Sequence, residues 1–164
     1  MRHKTIWAAT FVMAFAVAVF AQKAPDFSGA WALDMSKSEM PQMGGGRGMG
    51  GGMGEMTVTI KQTADTLTID QKMGEMSRTV TYKLDGTEST NQGMRGGEVK
   101  STSKWDGDKL VTESTQTVNG PNGEMTVKSK EVRSLAADGT MVVETTRETP
   151  RGTNTSKLVF KKTT

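Results

Sequence analysis

Glu131 and Arg133 stand two residues apart in the stretch Glu124–Leu135, so an extended chain turns both toward one face. They read as an internal ion pair, as the anchor for a ligand's polar end, or as an exposed pair on a long edge strand. Tyr82, with Arg78 close by in sequence, adds a hydroxyl donor. Trp31 and Trp105 each add a large apolar surface with one polar handle. Trp31, Tyr82, Trp105, Glu131 and Arg133 are the candidate ligand-binding residues, and their chemistry is recognition of a small molecule. Catalysis has little to draw on. The sole histidine is His3 and the chain has no cysteine. Beyond the first residues there is no imidazole base, no His or Cys zinc ligand, and no Ser-His or Cys-His nucleophile pair. The carboxylates lie mostly at turns and on outward faces, where charges are solvated. No catalytic residue and no cofactor is expected.

A second constellation is built on sulfur. Gly44–Gly54 is a low-complexity run of glycine and methionine, and Met40, Met43, Met49, Met53 and Met56 fall in or beside it. Thioethers are soft ligands that suit Cu(I), so a Cu(I)-handling or stress protein is the alternative function. A drifting Gly/Met linker is the plainer explanation, since Met73, Met76, Met94, Met125 and Met141 show methionine to be common elsewhere. Residues 40–55 are expected to form a flexible surface loop, because ordering so many glycines is entropically costly.

The chain opens with Met1-Arg2-His3-Lys4, an apolar run from Ile6, and Val19-Phe20-Ala21 before the polar Gln22. A basic start, a short apolar middle and a small-x-small end describe a signal peptide over residues 1–21, and hence a periplasmic or secreted protein. The run is shorter than the roughly 20 residues of a spanning helix. Of 21 basic residues, Arg2 and Lys4 belong to this leader, leaving 19 against 18 acidic ones. The basic residues are spread along the chain, so the stripe of a nucleic-acid binder is missing.

The elements that must position the candidate site are strands. Glu98–Val118 carries two alternating runs around Asp106-Gly107-Asp108, a strong hairpin signal. Further strands are expected at Asp26–Leu33, Met56–Thr63, Thr66–Met73, Ser77–Leu84, Thr87–Asn91, Glu124–Leu135, Thr140–Glu148 and Thr155–Lys162, with Gly- or Asp-containing turns between them. No helical stripe of useful length occurs after the leader, and abundant threonine favours strands. The fold class is all-β: an antiparallel up-and-down meander of about nine or ten strands in one domain over residues 22–164. Closing it on itself pairs the first strand with the last and removes the exposed edges.

Alternation also sorts the faces. Met56-Val58-Ile60 and Leu67-Ile69 begin apolar, whereas Ser101, Ser103, Thr112, Ser114, Gln116 and Ser129 share a face with Val99, Trp105, Leu110 and Val127. Buried polar groups without partners cost about 1–3 kcal/mol each. Either the barrel encloses a wet, partly polar space, or the sheet is open and works as an interaction module.

Phe27-Ser28-Gly29-Ala30-Trp31 resembles the Gly-x-Trp first strand of the calycin superfamily of lipocalins and fatty-acid-binding proteins. Trp105-Asp106-Gly107-Asp108-Lys109-Leu110-Val111 resembles the late hairpin of the fatty-acid-binding branch, and Leu158-Val159-Phe160-Lys161-Lys162 its closing strand. The DFSGxW start is most similar to small secreted bacterial lipocalin-like proteins. The resemblance implies a β-barrel that holds a small hydrophobic or amphipathic molecule, and with the shortage of catalytic side chains a non-enzymatic binding protein is expected. Two features depart from it. The Arg-x-Tyr pair with which that branch holds a carboxylate is matched here by Leu158 and Phe160, and the Gly/Met loop stands where the branch has a two-helix lid.

Overall fold

The computed structural model describes residues 24–40, 56–93, 97–120, 123–150 and 152–163. The proposed leader, most of the Gly/Met loop, and Met43, Met49 and Met53 lie outside these residues. Ten strands form: β1 (Gly29–Leu33), β2 (Met56–Gln62), β3 (Thr66–Met73), β4 (Met76–Lys83), β5 (Glu88–Gln92), β6 (Glu98–Asp106), β7 (Lys109–Gly120), β8 (Gly123–Leu135), β9 (Met141–Thr149) and β10 (Gly152–Thr163). They make one antiparallel sheet in the order β4-β3-β2-β1-β10-β9-β8-β7-β6-β5. The first strand pairs with the last, Trp31 opposite Lys162 and Leu33 opposite Phe160, and pairs with β2 on its other side. The meander is therefore an all-β barrel, and the open-sheet arrangement is set aside. Among the described residues, no helix is long and apolar enough to cross a membrane.

The expected strand limits need small corrections. The first strand begins at Gly29 because Asp26 Oδ1 accepts from Ser28 N at 2.9 Å, folding Asp26–Ser28 into a turn. The hairpin at Asp106 closes more tightly than expected. Asp106 pairs with Lys109, and Gly107 takes φ +61° in the two-residue turn.

One seam is not closed by backbone. β4 and β5 are sequence neighbours but stand at the two ends of the hydrogen-bonded order. Side chains bridge them. Asn91 Oδ1 accepts from Thr81 N at 2.8 Å while its Nδ2 donates to Thr81 O at 3.0 Å, and Ser89 Oγ accepts from Lys83 N at 2.8 Å. The Asn91 amide does what a neighbouring strand's peptide would do. Replacing Asn91 by Ala removes two hydrogen bonds and is expected to cost about 1–2 kcal/mol. Amide exchange should speed up at Thr81 while the β7–β8 ladder keeps its protection. Unchanged exchange at Thr81 would contradict the clasp.

After β1 the chain turns over the outside of β10 as a strap. Asp34 N donates to Val159 O, Ser38 Oγ accepts from Val159 N, and Glu39 bridges to Lys157. This cover is why Val159 is buried on the barrel's outer side. Asp34 fixes the strap's start: it accepts from Ser36 N and Oγ and pairs with Lys161 Nζ at 2.7 Å. Lys161 and Ser36 hold the Asp34 carboxyl down at about 2. Thr140 and Lys37 do the same for Asp138, also to about 2. A carboxylate with a folded pKa below its unfolded one stabilises fully above the unfolded value. That stabilisation is lost as pH falls from about 4 toward 2. The loss in that window should shrink in Asp34→Asn, as read by chemical denaturation at successive pH values.

Candidate functional site

The barrel interior divides into a packed floor and a polar upper half. The floor is built by the inward residues near the β6–β7, β8–β9 and β2–β3 turns. Phe27, Trp31, Ile60, Leu67, Ile69, Leu110, Met141 and Phe160 are all at most 2% exposed. Phe27, just before β1, stacks on Trp105 of β6 with ring centroids 5.9 Å apart. The Trp31 indole N–H donates to Phe27 O at 2.9 Å, and Lys162 Nζ lies 5.4 Å from the Trp31 ring centroid. The Lys162 stem reaches that ring across Gly29, where a Cβ would meet Lys162 Cε at 2.8 Å, and Gly29 has φ +123°. The positive φ, which residues with a Cβ rarely adopt, is why the inward position two before Trp31 is glycine. The preceding chain is held by Gln62, whose Oε1 accepts from Phe27 N and whose Nε2 donates to Pro25 O.

Above the floor the two walls differ. On β6–β10 the inward residues form rows of hydroxyls. Ser103 faces Thr112, which faces Glu131, which faces Thr145 and then Ser156. Ser101, Ser114 and Ser129 make the next row. Ser103 Oγ and Thr112 Oγ1 bond to each other at 2.8 Å, fully buried. Farther up, Ser114, Gln116, Ser129 and Thr145 are only half-buried, as are Val99 and Val127. On β2–β4 the wall is apolar up to Val58, Ile69 and Val80. Gln71 and Arg78 lie above it, with Arg78 Nη2 donating to Gln71 Oε1 at 2.7 Å.

Two of the nominated residues, Arg133 and Glu131, bond to each other across one step of β8. Arg133 is 5% exposed and lies between Leu110 and Val143 in the register. Its Nη2 donates to Glu131 Oε1 at 2.6 Å, its Nη1 to Met141 Sδ at 3.4 Å, and its buried Nε has no partner among the described residues. Of the readings open for Glu131 and Arg133, the exposed edge pair is excluded, because both face inward. Tyr82 lies within the reach of their fields. Burial first, and then the Glu131 carboxylate, pushes its hydroxyl up to about 12, so Tyr82 is a neutral donor across the whole physiological range. Trp31 and Trp105 are elsewhere, in the floor.

Met40 and Met56 both pack against the hydrophobic core. Sequence reasoning did not find the Asn91 clasp, the strap or the Phe27–Trp105 stack. Each depends on which segments meet across the barrel, and no local pattern encodes that. The outer face of β5–β9 also carries a concavity of about 670 Å³, rimmed by Glu88, Lys100, Glu113, Lys128, Lys130 and Glu148. Its charges are of both signs and alternate across neighbouring strands, as expected of a solvated face.

No protein-family model matches the sequence, and the comparison with curated proteins returns no match. Solved structures do resemble it. A protein described as the REP1-NXSQ fatty acid transporter superposes with a TM-score of 0.57 at 19% identity, over 84% of this chain and 96% of that one. The zebrafish ileal bile acid-binding protein, complexed with cholic acid, superposes with a TM-score of 0.60 at 20% identity, over 84% of this chain and 98% of that one. What the chain shares with both is the fold, an antiparallel up-and-down β-barrel.

Proposed function

We propose that this protein is an exported, non-enzymatic carrier of a small amphipathic molecule held in the upper half of the barrel. Arg133 carries the reading. A buried guanidinium whose Nε–H has no partner among the described residues is costly unless something accepts from it. Tyr82 and the Arg133–Glu131 pair are the polar contacts, and the hydroxyl rows of β6–β9 face the ligand's polar side. The apolar wall of β2–β4 faces its apolar side. Trp31 and Trp105 act indirectly by keeping the floor closed. Two neighbours of the same fold are described as a fatty acid transporter and a bile acid-binding protein, which supports a ligand of this type. The chain's beginning supports export to the periplasm or beyond, and the even spread of charge disfavours a nucleic-acid partner.

The test is a fluorescence titration of the purified protein with ANS, a fatty acid and a bile acid. Saturable binding at one site is expected, weakened about tenfold or more in Arg133→Met, in line with a lost charged hydrogen bond of about 1.5–3 kcal/mol. Absence of saturable binding across the panel would remove the carrier reading.

A further inference from the structure

We propose that Met56, Met73 and Met76 form a site for one soft monovalent metal ion, Cu(I) by its chemistry, at the open lip of the barrel. The register puts the three in a single row: Met56 is opposite Met73, and Met73 is opposite Met76. All three continue the inward faces of their strands, four residues from the buried Ile60, Ile69 and Val80. Directly opposed side chains on one face start about 4.5–5.5 Å apart at Cβ, so the outer two start about 10 Å apart across two strand spacings. Methionine has three rotatable bonds and a polarizable sulfur, so the outer two thioethers can swing inward to meet the middle one at a common point.

Met76 is 61% exposed, more than any other large hydrophobic side chain among the described residues. A side chain left so far in water contributes little to the core, and its sulfur is free to bind. No cluster of three His, Cys, Asp or Glu that could hold a metal occurs among the described residues. The row itself offers three thioethers, a soft ligand set that favours Cu(I) or Ag(I) over zinc, calcium or magnesium, with Glu75 the one carboxylate in the turn between Met73 and Met76. The neighbouring cation, Arg78, is drawn along the strand pair to Gln71, and at the water-exposed lip its repulsion is screened. This set shares only Met56 with the methionines that the Gly/Met-rich stretch suggests.

The full-length chain, with isotope-labelled methionine methyls, would be titrated with Ag(I) as a redox-inert probe and then with Cu(I) under anaerobic conditions. The methyl resonances of Met56, Met73 and Met76 are expected to shift together and saturate at one ion per chain. The variant M56L/M73L/M76L should bind about a hundredfold more weakly, two decades on the affinity scale. The variant M43L/M49L/M53L should stay within about twofold of the parent. Leucine replaces methionine with little change in volume. The methyl shifts in the unsubstituted protein give the answer even if the triple variant folds poorly. No saturable shift, shifts confined to other methionines, or undiminished affinity in a folded M56L/M73L/M76L would overturn the site.

Discussion

Replacing Trp31 with alanine is expected to lower the unfolding free energy by about 3–5 kcal/mol, the range for deleting a buried aromatic side chain. That would be a large part of the roughly 5–15 kcal/mol a domain typically has. Trp31 is 2% exposed and sits where β1 is paired on both sides, so the cavity left behind has few routes to collapse. The change also leaves Phe27 O without its indole donor and Lys162 without the ring it covers. Trp31→Phe separates the two contributions. It keeps most of the volume and loses the N–H, and should cost nearer about 1–2 kcal/mol. Urea unfolding followed by circular dichroism measures both. A loss under about 1 kcal/mol in Trp31→Ala would mean that the floor does not depend on this residue.

The second large effect concerns the internal ion pair. Glu131→Ala leaves the Arg133 guanidinium in a site of 5% exposure with Met141 Sδ as its remaining contact among the bonds described above. Breaking a buried pair by removing one partner costs about 3–5 kcal/mol. The Glu131 side chain keeps 28% of its surface, so about 2–3 kcal/mol is expected after allowance for water. The double variant Glu131→Leu/Arg133→Met removes both charges and should recover most of that loss, because replacing a buried pair by apolar groups is often neutral or better. A double-mutant cycle gives the coupling directly. Additive effects of the two single changes would show that the 2.6 Å contact contributes nothing to stability. The ligand titration on the double variant then separates the pair's two roles. Stability regained without binding regained places Arg133 and Glu131 in recognition.

Much of the barrel could be read from the chain. The expected spans at Thr66–Met73 and Lys109–Val118, and the turn at Gly107, match the structure closely, because strand alternation and the left-handed backbone of a turn glycine are local properties. The inward face of β8 was likewise legible from Met125, Val127, Ser129, Glu131 and Arg133 taken two at a time. The glycine of Gly29-x-Trp31 was legible as well, and it sits where the backbone takes φ +123°. What alternation could not supply was depth. Trp31, Trp105, Tyr82, Glu131 and Arg133 share an inward parity, yet Trp31 and Trp105 are in the floor, Tyr82 and Arg133 lie opposite its Leu67 and Leu110, and Glu131 stands one row higher.

By itself, then, the sequence determined a meander of about nine or ten strands and the face on which most inward side chains lie, because both follow from residue type and a period of two. Tertiary structure alone decided which inward residues meet. It brought Tyr82 on β4 within the field of Arg133 and Glu131 on β8, aligned Met56, Met73 and Met76 through two successive registers, and closed the β4–β5 seam with the Asn91 amide instead of a ladder. The reason is geometric. Strand tilt and register set which rows face one another across a barrel, and those quantities belong to the closed sheet, not to any one of its strands.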